Sequence, residues 1–390
     1  MPVSTGMKKE QIIQKDRLSI IVILPYVDRF EGSKLGFAIA SALSFQGHEV
    51  SIVIYECRES LIPDIERNIG NSKLHIIKKS KKLSFGLSYA FKYGYTKFSD
   101  KKITEYIKKN NLHAEIVLVV ANEGLNIAKL LHQDNGNHFR TMTCFLLQDP
   151  PLNHLLFGRE LKLDRTFLKG FFFYLNRGRI RKQLEHYDVL FSNSFWTKQI
   201  VEYIFNVQIK GVLNAVLLNS EPMNTYFHHT EPYIVVPTVA LDSNGEEIVK
   251  KLASSGINLK TYGRKKILKD SMGYLETEKM NEVISNAEAM LFLFDYEGLG
   301  LIPLESLMLG TPVITQPKLA PFSELADNPN VIFFDDYSEL EETCRKVLSG
   351  EKIEIVRKSC SDSVSRFKPI ISANILAEQY KNFLREKEWI

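Results

Sequence analysis

The stretch AMLFLFDYEGLGLIPLESLMLGTPVIT, residues 289–315, decides how the rest of the chain is read. It opens on an apolar run ending at Asp295, the pattern of a strand buried on both faces. A loop with Glu297, Gly298 and Gly300 follows. Pro303 stands where a helix should begin, because its missing N–H costs nothing in a first turn. That helix is brief, carries Leu304, Leu307 and Met308, and is stopped by Gly310 before a second strand at 312–315. Strand, helix and strand in succession make a βαβ unit of a parallel sheet.

The same alternation extends outward. YIVVPTVA (233–240), NLKTYG (258–263) and VIFFDD (331–336) read as further strands of the second half. In the first half, LSIIVILPY (18–26), VSIVIYE (50–56), EIVLVVAN (115–122), TMTCFLLQD (141–149) and DVLFSNS (188–194) are strands with helical material between them. LGFAIASALSFQG (35–47) is a helix that stops at Gly47. SEPMNTYFHHTEPY (220–233) has two prolines and little periodicity, and reads as a hinge. The expected fold is α/β, with two Rossmann-like doubly wound domains facing a cleft. Ligands then sit outside the carboxyl ends of the strands. The expected boundaries are 1–222, 231–370 and an amphipathic terminal helix at 371–390.

Composition narrows the class. A chain of 390 residues is long enough for two or three cores, and 44% apolar with 25% charged residues excludes disorder and coiled coil. Cys57, Cys144, Cys344 and Cys360 are scattered, with no C-x-x-C pair, which excludes a disulfide scaffold and a zinc ribbon and fits a reducing compartment. MPVSTGMKKEQIIQKDR at the start lacks the apolar core of a secretory signal, and no apolar run is long enough to span a membrane. The expected location is cytoplasmic, soluble or peripheral on the inner face of the membrane. The net charge of +4 conceals about +10 over residues 1–230 and about −6 over the remainder. Without a nucleic-acid-reading motif, that asymmetry points to an anionic membrane surface or a phosphorylated acceptor rather than to nucleic acid.

Two glycines before a helix start let backbone approach a ligand closely. The free N–H groups and dipole of that start favour an anion such as a diphosphate. Glu297 and Glu305, eight positions apart, would repel phosphate, so both should aim at hydroxyl groups. A nucleotide sugar offers both partners. The competing reading makes Glu297 and Glu305 solvated residues, with Glu305 favouring the helix dipole.

EGLGLIPLESLMLGTPVI (297–314) resembles the signature of the retaining GT-B glycosyltransferases of group 1, the family 4-like enzymes that use nucleotide-diphosphate sugars. DVLFSNSFWTKQIVEYI (188–204) is similar to the segment closing that family's N-terminal domain. Gly263 and Gly273, followed by ETEKMNEVISNAEAMLFLF (276–294), fit the strand and helix preceding the motif. RFKPIISANILAEQYKNFL (366–384) resembles the terminal helix that crosses back to the N-terminal domain. The resemblance implies an N-terminal acceptor domain and a C-terminal nucleotide-sugar domain. By it Glu305 holds the ribose hydroxyls, Glu297 holds the transferred sugar, and the amides around Gly298, Leu299, Gly300 and Leu301 hold the diphosphate. A hexose-like sugar then passes from a nucleotide diphosphate to a lipid-linked, glycan or protein acceptor with retention of configuration. The nucleotide sugar is a substrate, and no separate cofactor or metal is implied.

Departures from the family pattern matter. Its members commonly carry an Arg and a Lys after the first strand of the C-terminal domain, where this chain reads VPTVALDSNGEE (236–247) with Thr238 and Asn244. Arg264, Lys265 and Lys266 supply replacement charge on one reading and form a solvated basic turn on the other. Where many members place a His near the sugar, LLQDPPLNH (146–154) offers Gln148 as a contact to sugar hydroxyls, with Asp149 beside it and His154 read as a loop residue. GSKLG (32–36) keeps Gly32 and Gly36 at the place expected for acceptor or phosphate contact.

Two basic, aromatic stretches, 73–98 and 159–182, read as helices. The first is an ordinary amphipathic helix on the core. In the second, Phe171, Phe172 and Phe173 beside Arg177, Arg179, Arg181 and Lys182 form an exposed membrane or acceptor surface, since three adjacent rings cannot all face one core. Two rival readings stand: a non-catalytic GT-B relative serving as partner or regulatory subunit of another transferase, and a polyanion-binding protein that leaves the glutamate motif idle.

Overall fold

The computed structural model describes residues 17–27, 33–81, 92–120, 124–133, 141–148, 174–216, 231–239, 241, 243–263, 265–293, 299–316, 322–350 and 357–389. The chain divides into two compact units, Met1–Leu217 with Lys368–Ile390, and Leu218–Phe367.

In the first unit the described elements run β1 (Ser19–Val27), α1 (Lys34–Phe45), β2 (Glu49–Arg58), α2 (Ile62–Asn68), β3 (Lys73–Ser80), α3 (Lys92–Lys109), β4 (Ile116–Val120), α4 (Ile127–His132), β5 (Met142–Leu147), α5 (Arg177–Leu184), β6 (Val189–Ser192), α6 (Phe195–Phe205) and β7 (Gly211–Val212). The strands form one parallel sheet in the order β3-β2-β1-β4-β5-β6-β7. Its central strands are apolar throughout because helices cover both faces. Successive residues of β1 show this. Ile20, Val22 and Leu24 pack on one face with α1, whereas Ile21 and Ile23 join Ile103 and Ile107 of α3 and Val201 and Phe205 of α6 on the other. Gly36 is buried in the first turn of α1, where a Cβ would lie 2.9 Å from Leu24 Cδ2, so the missing side chain draws helix and strand together.

The stretch 73–98 is not a helix throughout. Residues Lys73–Ser80 form β3, the edge strand, paired from Ser51↔Lys73 to Arg58↔Ser80, and α3 begins at Lys92. Leu74 and Ile76 pack on one face and Ile77 on the other, while the lysines suit an edge that must stay unpaired. Lys78 also neutralises Glu56, a β2 carboxylate only 1% exposed, at 2.8 Å, and the Ser80 hydroxyl donates to the same oxygen at 2.6 Å.

The terminal helix, Pro369–Glu386, belongs to this unit and packs Ala373, Leu376, Tyr380, Phe383 and Leu384 into the cluster beneath α1. Gln46 Nε2 donates to Asn374 Oδ1 at 2.6 Å, and the Ser372 hydroxyl donates to the Asn214 carbonyl at 3.1 Å.

The second unit contains β8 (Ile234–Pro237), α7 (Ser243–Ser254), β9 (Leu259–Tyr262), α8 (Thr277–Ser285), β10 (Ala289–Phe292), α9 (Leu301–Met308), β11 (Val313–Thr315), α10 (Phe322–Leu325), β12 (Val331–Phe333), α11 (Tyr337–Ser349) and α12 (Arg357–Ser363); the terminal helix is α13. Its sheet is parallel, in the order β12-β11-β10-β8-β9. Both units are therefore Rossmann-like. Among the described residues no helix is long and apolar enough to cross a membrane.

Leu376 is fully buried in α13. Leu376→Ala is expected to cost about 2–5 kcal/mol in urea unfolding of the first unit, the range for a leucine cut back in a packed core.

Candidate functional site

The motif segment folds as strand, loop and helix, with the helix opening earlier than the proline suggests. Gly300 takes a left-handed conformation, φ +73° and ψ +61°, and α9 begins at Leu301. Pro303 lies inside the first turn, where amides have no intrahelical partner. The Leu304 amide, donating to the Gly300 carbonyl at 3.3 Å, makes the first closing bond. Glu305 consequently stands in the second turn, not the first, and is only 6% exposed. Leu299 and Gly300 are buried at the head of the helix, and Leu301 is half-buried. Glu297, Gly298 and Arg264 lie outside the described residues, as do Phe171, Phe172, Phe173, Asp149, His154 and Gly32.

The far end of α9 is pinned by two hydroxyls. Ser306 donates to the Thr311 carbonyl at 3.0 Å, and Thr311 donates to the Ile284 carbonyl of α8 at 2.7 Å. Both hydroxyls are buried, so each bond satisfies a group that is costly to leave unmade.

At the carboxyl ends of the strands, opposite that anchored end of α9, β8 and β9 meet through Thr238. Its amide donates to the Tyr262 carbonyl at 2.8 Å, and its hydroxyl lies 3.0 Å from the carbonyls of both Tyr262 and Lys265. Thr238 is thus a buried clamp on the turn after β9. Gly263, at φ +124°, completes it: a Cβ there would lie 2.6 Å from Thr238 Oγ1, and the Gly263 amide donates to the Gly273 carbonyl at 2.8 Å. Lys265 Nζ donates to the Leu241 carbonyl and pairs with Glu246 at 2.7 Å. Lys266 and Asn244 are exposed.

Tyr262 was not singled out from the sequence, although an aromatic closing the strand NLKTYG marks its place. Burial pushes its phenol well above the ordinary range, and the Glu305 carboxylate acts in the same direction. Thr238, Tyr262 and Lys265 are thus joined by hydrogen bonds after β8 and β9, while Leu299, Gly300, Leu301 and Glu305 follow β10 in the same unit.

In the first unit Gln148 is half-buried just past β5. The Ser194 side chain caps α6, accepting from the Thr197 amide at 3.0 Å, and the Ser192 hydroxyl donates to the Ser194 carbonyl at 2.9 Å. Arg177 and Arg179 are exposed on α5, with the Arg177 guanidinium 4.3 Å from the ring centre of Tyr174 and with Leu175 exposed beside them. No group of three or more His, Cys, Asp or Glu among the described residues is placed to hold a metal ion.

Two Rossmann-like parallel-sheet units in one chain are the GT-B class of fold. Residues 270–363 match the family model described as Glycosyl transferases group 1, and the matched segment contains α8, β10, α9 and β11. The structure is similar to the Candida albicans trehalose-6-phosphate phosphatase N-terminal domain, at 10% identity and a TM-score of 0.68, covering 98% of this chain and 99% of that one. It is also similar to sucrose-phosphate synthase from Thermosynechococcus elongatus, at 13% identity and 0.62, covering 94% and 99%. A glycosyltransferase from Rickettsia africae gives 13% identity and 0.64, covering 95% and 99%. No curated protein matches the chain in sequence.

Since the left-handed region costs an L-residue about 1–2 kcal/mol, Gly300→Ala is expected to lower unfolding stability by roughly that amount. Thermal unfolding of the purified variant checks it.

Proposed function

We propose that the protein is a retaining, metal-independent glycosyltransferase that moves a hexose-like sugar from a nucleotide diphosphate to an acceptor. The observation that carries this reading is the buried Glu305 on a short helix whose first amides are opened by the left-handed Gly300. The amides around Gly298–Leu301 take the diphosphate, Glu305 takes the ribose hydroxyls, and Glu297 holds the transferred sugar. Gln148 is assigned to sugar hydroxyls. Rate comes from orienting donor and acceptor and from stabilising the departing diphosphate.

Charge for that diphosphate comes from the turn after β9. The Lys265–Glu246 pair is partly exposed, and such pairs are worth about 0–1 kcal/mol, so an incoming diphosphate competes for Lys265 at little cost. Arg264 adds to it. A second reading, a non-catalytic GT-B relative acting on another transferase, is favoured by Thr238, whose hydroxyl serves carbonyl oxygens where relatives of this kind place a cation.

Calorimetry with UDP, GDP and ADP, without added magnesium, is expected to show 1:1 binding of at least one; failure of all three at millimolar concentration removes the donor-site reading. With the matching nucleotide sugar, Glu305→Gln mainly raises the donor KM, because the ribose is remote from the reacting bond. Glu297→Gln lowers kcat by about 10²-fold or more, the scale of a lost transition-state contact. Binding without transfer or donor hydrolysis decides for the second reading.

The exposed arginines of α5, with Tyr174 and Leu175, suit an anionic membrane surface on the cytoplasmic side. Co-sedimentation with anionic liposomes should fall as salt rises, since charges are screened over about 8–10 Å at 0.10–0.15 M. Replacing Arg177 and Arg179 by Glu should abolish it. Undiminished binding of that variant removes the membrane reading.

A further inference from the structure

Tyr262 closes β9 and is 5% exposed, yet its hydroxyl has no hydrogen-bond partner among the described residues. The ring packs in one cluster with Met290 of β10, Ile284 of α8 and Leu309 at the end of α9, against which Ile302 in the first turn of α9 also packs. It therefore lies on the sheet face covered by the helix that carries Glu305. Ile302, one turn before Glu305 on α9, packs against the cluster that holds the Tyr262 ring, so the phenol lies beside the helix that carries the carboxylate. Buried tyrosine hydroxyls usually find a partner. A phenylalanine would fill the same apolar cluster without leaving a hydroxyl unpaired.

We propose that Tyr262 is a second ribose-reading residue, whose O–H donates to one oxygen of a nucleotide's ribose while a ribose hydroxyl donates to the Glu305 carboxylate. This rests on the donor-site reading and adds to it a specificity-determining group. The raised phenol keeps its proton at neutral pH, as a donor must. A diol meets both groups at once: its oxygen accepts from the phenol and its O–H serves the carboxylate. The orphaned hydroxyl is then satisfied only when the nucleotide is bound.

The test combines Tyr262→Phe with altered ligands. Whichever of UDP, GDP and ADP binds the wild type most tightly is compared by calorimetry with its 2′-deoxy and 3′-deoxy forms, on both proteins. Tyr262→Phe is expected to weaken the ribonucleotide about tenfold, the scale of one hydrogen bond to a buried polar group. Without nucleotide its Tm should be unchanged or higher. One deoxy form should bind the two proteins equally, because the variant and the ligand have lost the same interaction. Equal affinity of wild type and Tyr262→Phe for the ribonucleotide overturns the inference alone. So does a lower Tm of the unliganded variant, which marks a structural hydroxyl, or a variant penalty that persists for both deoxy forms. Absence of any nucleotide binding by the wild type overturns the donor-site reading and this inference together.

Discussion

A carboxylate buried in a helix of eight residues stays in place only if that helix is fixed at both ends, and the structure of the second unit follows from how this is done. A helix of this length has little stability of its own, since nucleation is costly and few bonds reward it. The anchoring comes from Ser306 and Thr311, whose hydroxyls tie the end of α9 to the following turn and to α8. Leu304 and Leu307 seat the helix on the sheet beside β10 and β11. With that end immobile, the left-handed Gly300 sets the direction from which the chain enters. The first amides then point at one place outside the carboxyl ends of the strands.

The turn after β9 is built around a buried hydroxyl, a glycine and a paired lysine. Thr238 donates to carbonyl oxygens of Tyr262 and Lys265 and braces the turn after β9. That turn carries Lys265 and is held further by the Gly263–Gly273 bond. Lys265 itself is partly exposed and pairs with Glu246.

Packing of the first unit follows another constraint, the covering of both faces of a seven-stranded sheet. Helix α13 contributes Leu376 and Phe383 to the cluster that α1 also fills, so the end of the chain completes the core begun by its first strand. The edge of that sheet is guarded by β3, whose lysines discourage pairing while Lys78 serves the buried Glu56.

Much of this was legible locally. Runs such as IVLVV and MTCFLL form doubly covered strands because the apolar requirement repeats at every residue, and glycines such as Gly47 and Gly310 mark helix ends locally. The motif around Glu305 was readable for the same reason, since a loop, a helix start and a stop occupy neighbouring positions. Other features depended on partners remote in sequence. Lys73–Ser80 became a strand because β2 lay beside it with a buried carboxylate to neutralise, although the basic, aromatic stretch 73–98 that it opens reads as a helix. Pro303 is the third residue of the helix rather than its first, because the Gly300 carbonyl already accepts the closing bond from Leu304. The clamp of Thr238 on Tyr262 and Lys265, and the packing of Ile302 of α9 against the cluster around Tyr262, join strands and helices whose order in the sheet no local pattern encodes. Periodicity is a property of neighbouring residues and is written in the sequence; which polar groups meet is fixed only when the strands have paired, and that the tertiary structure alone decided.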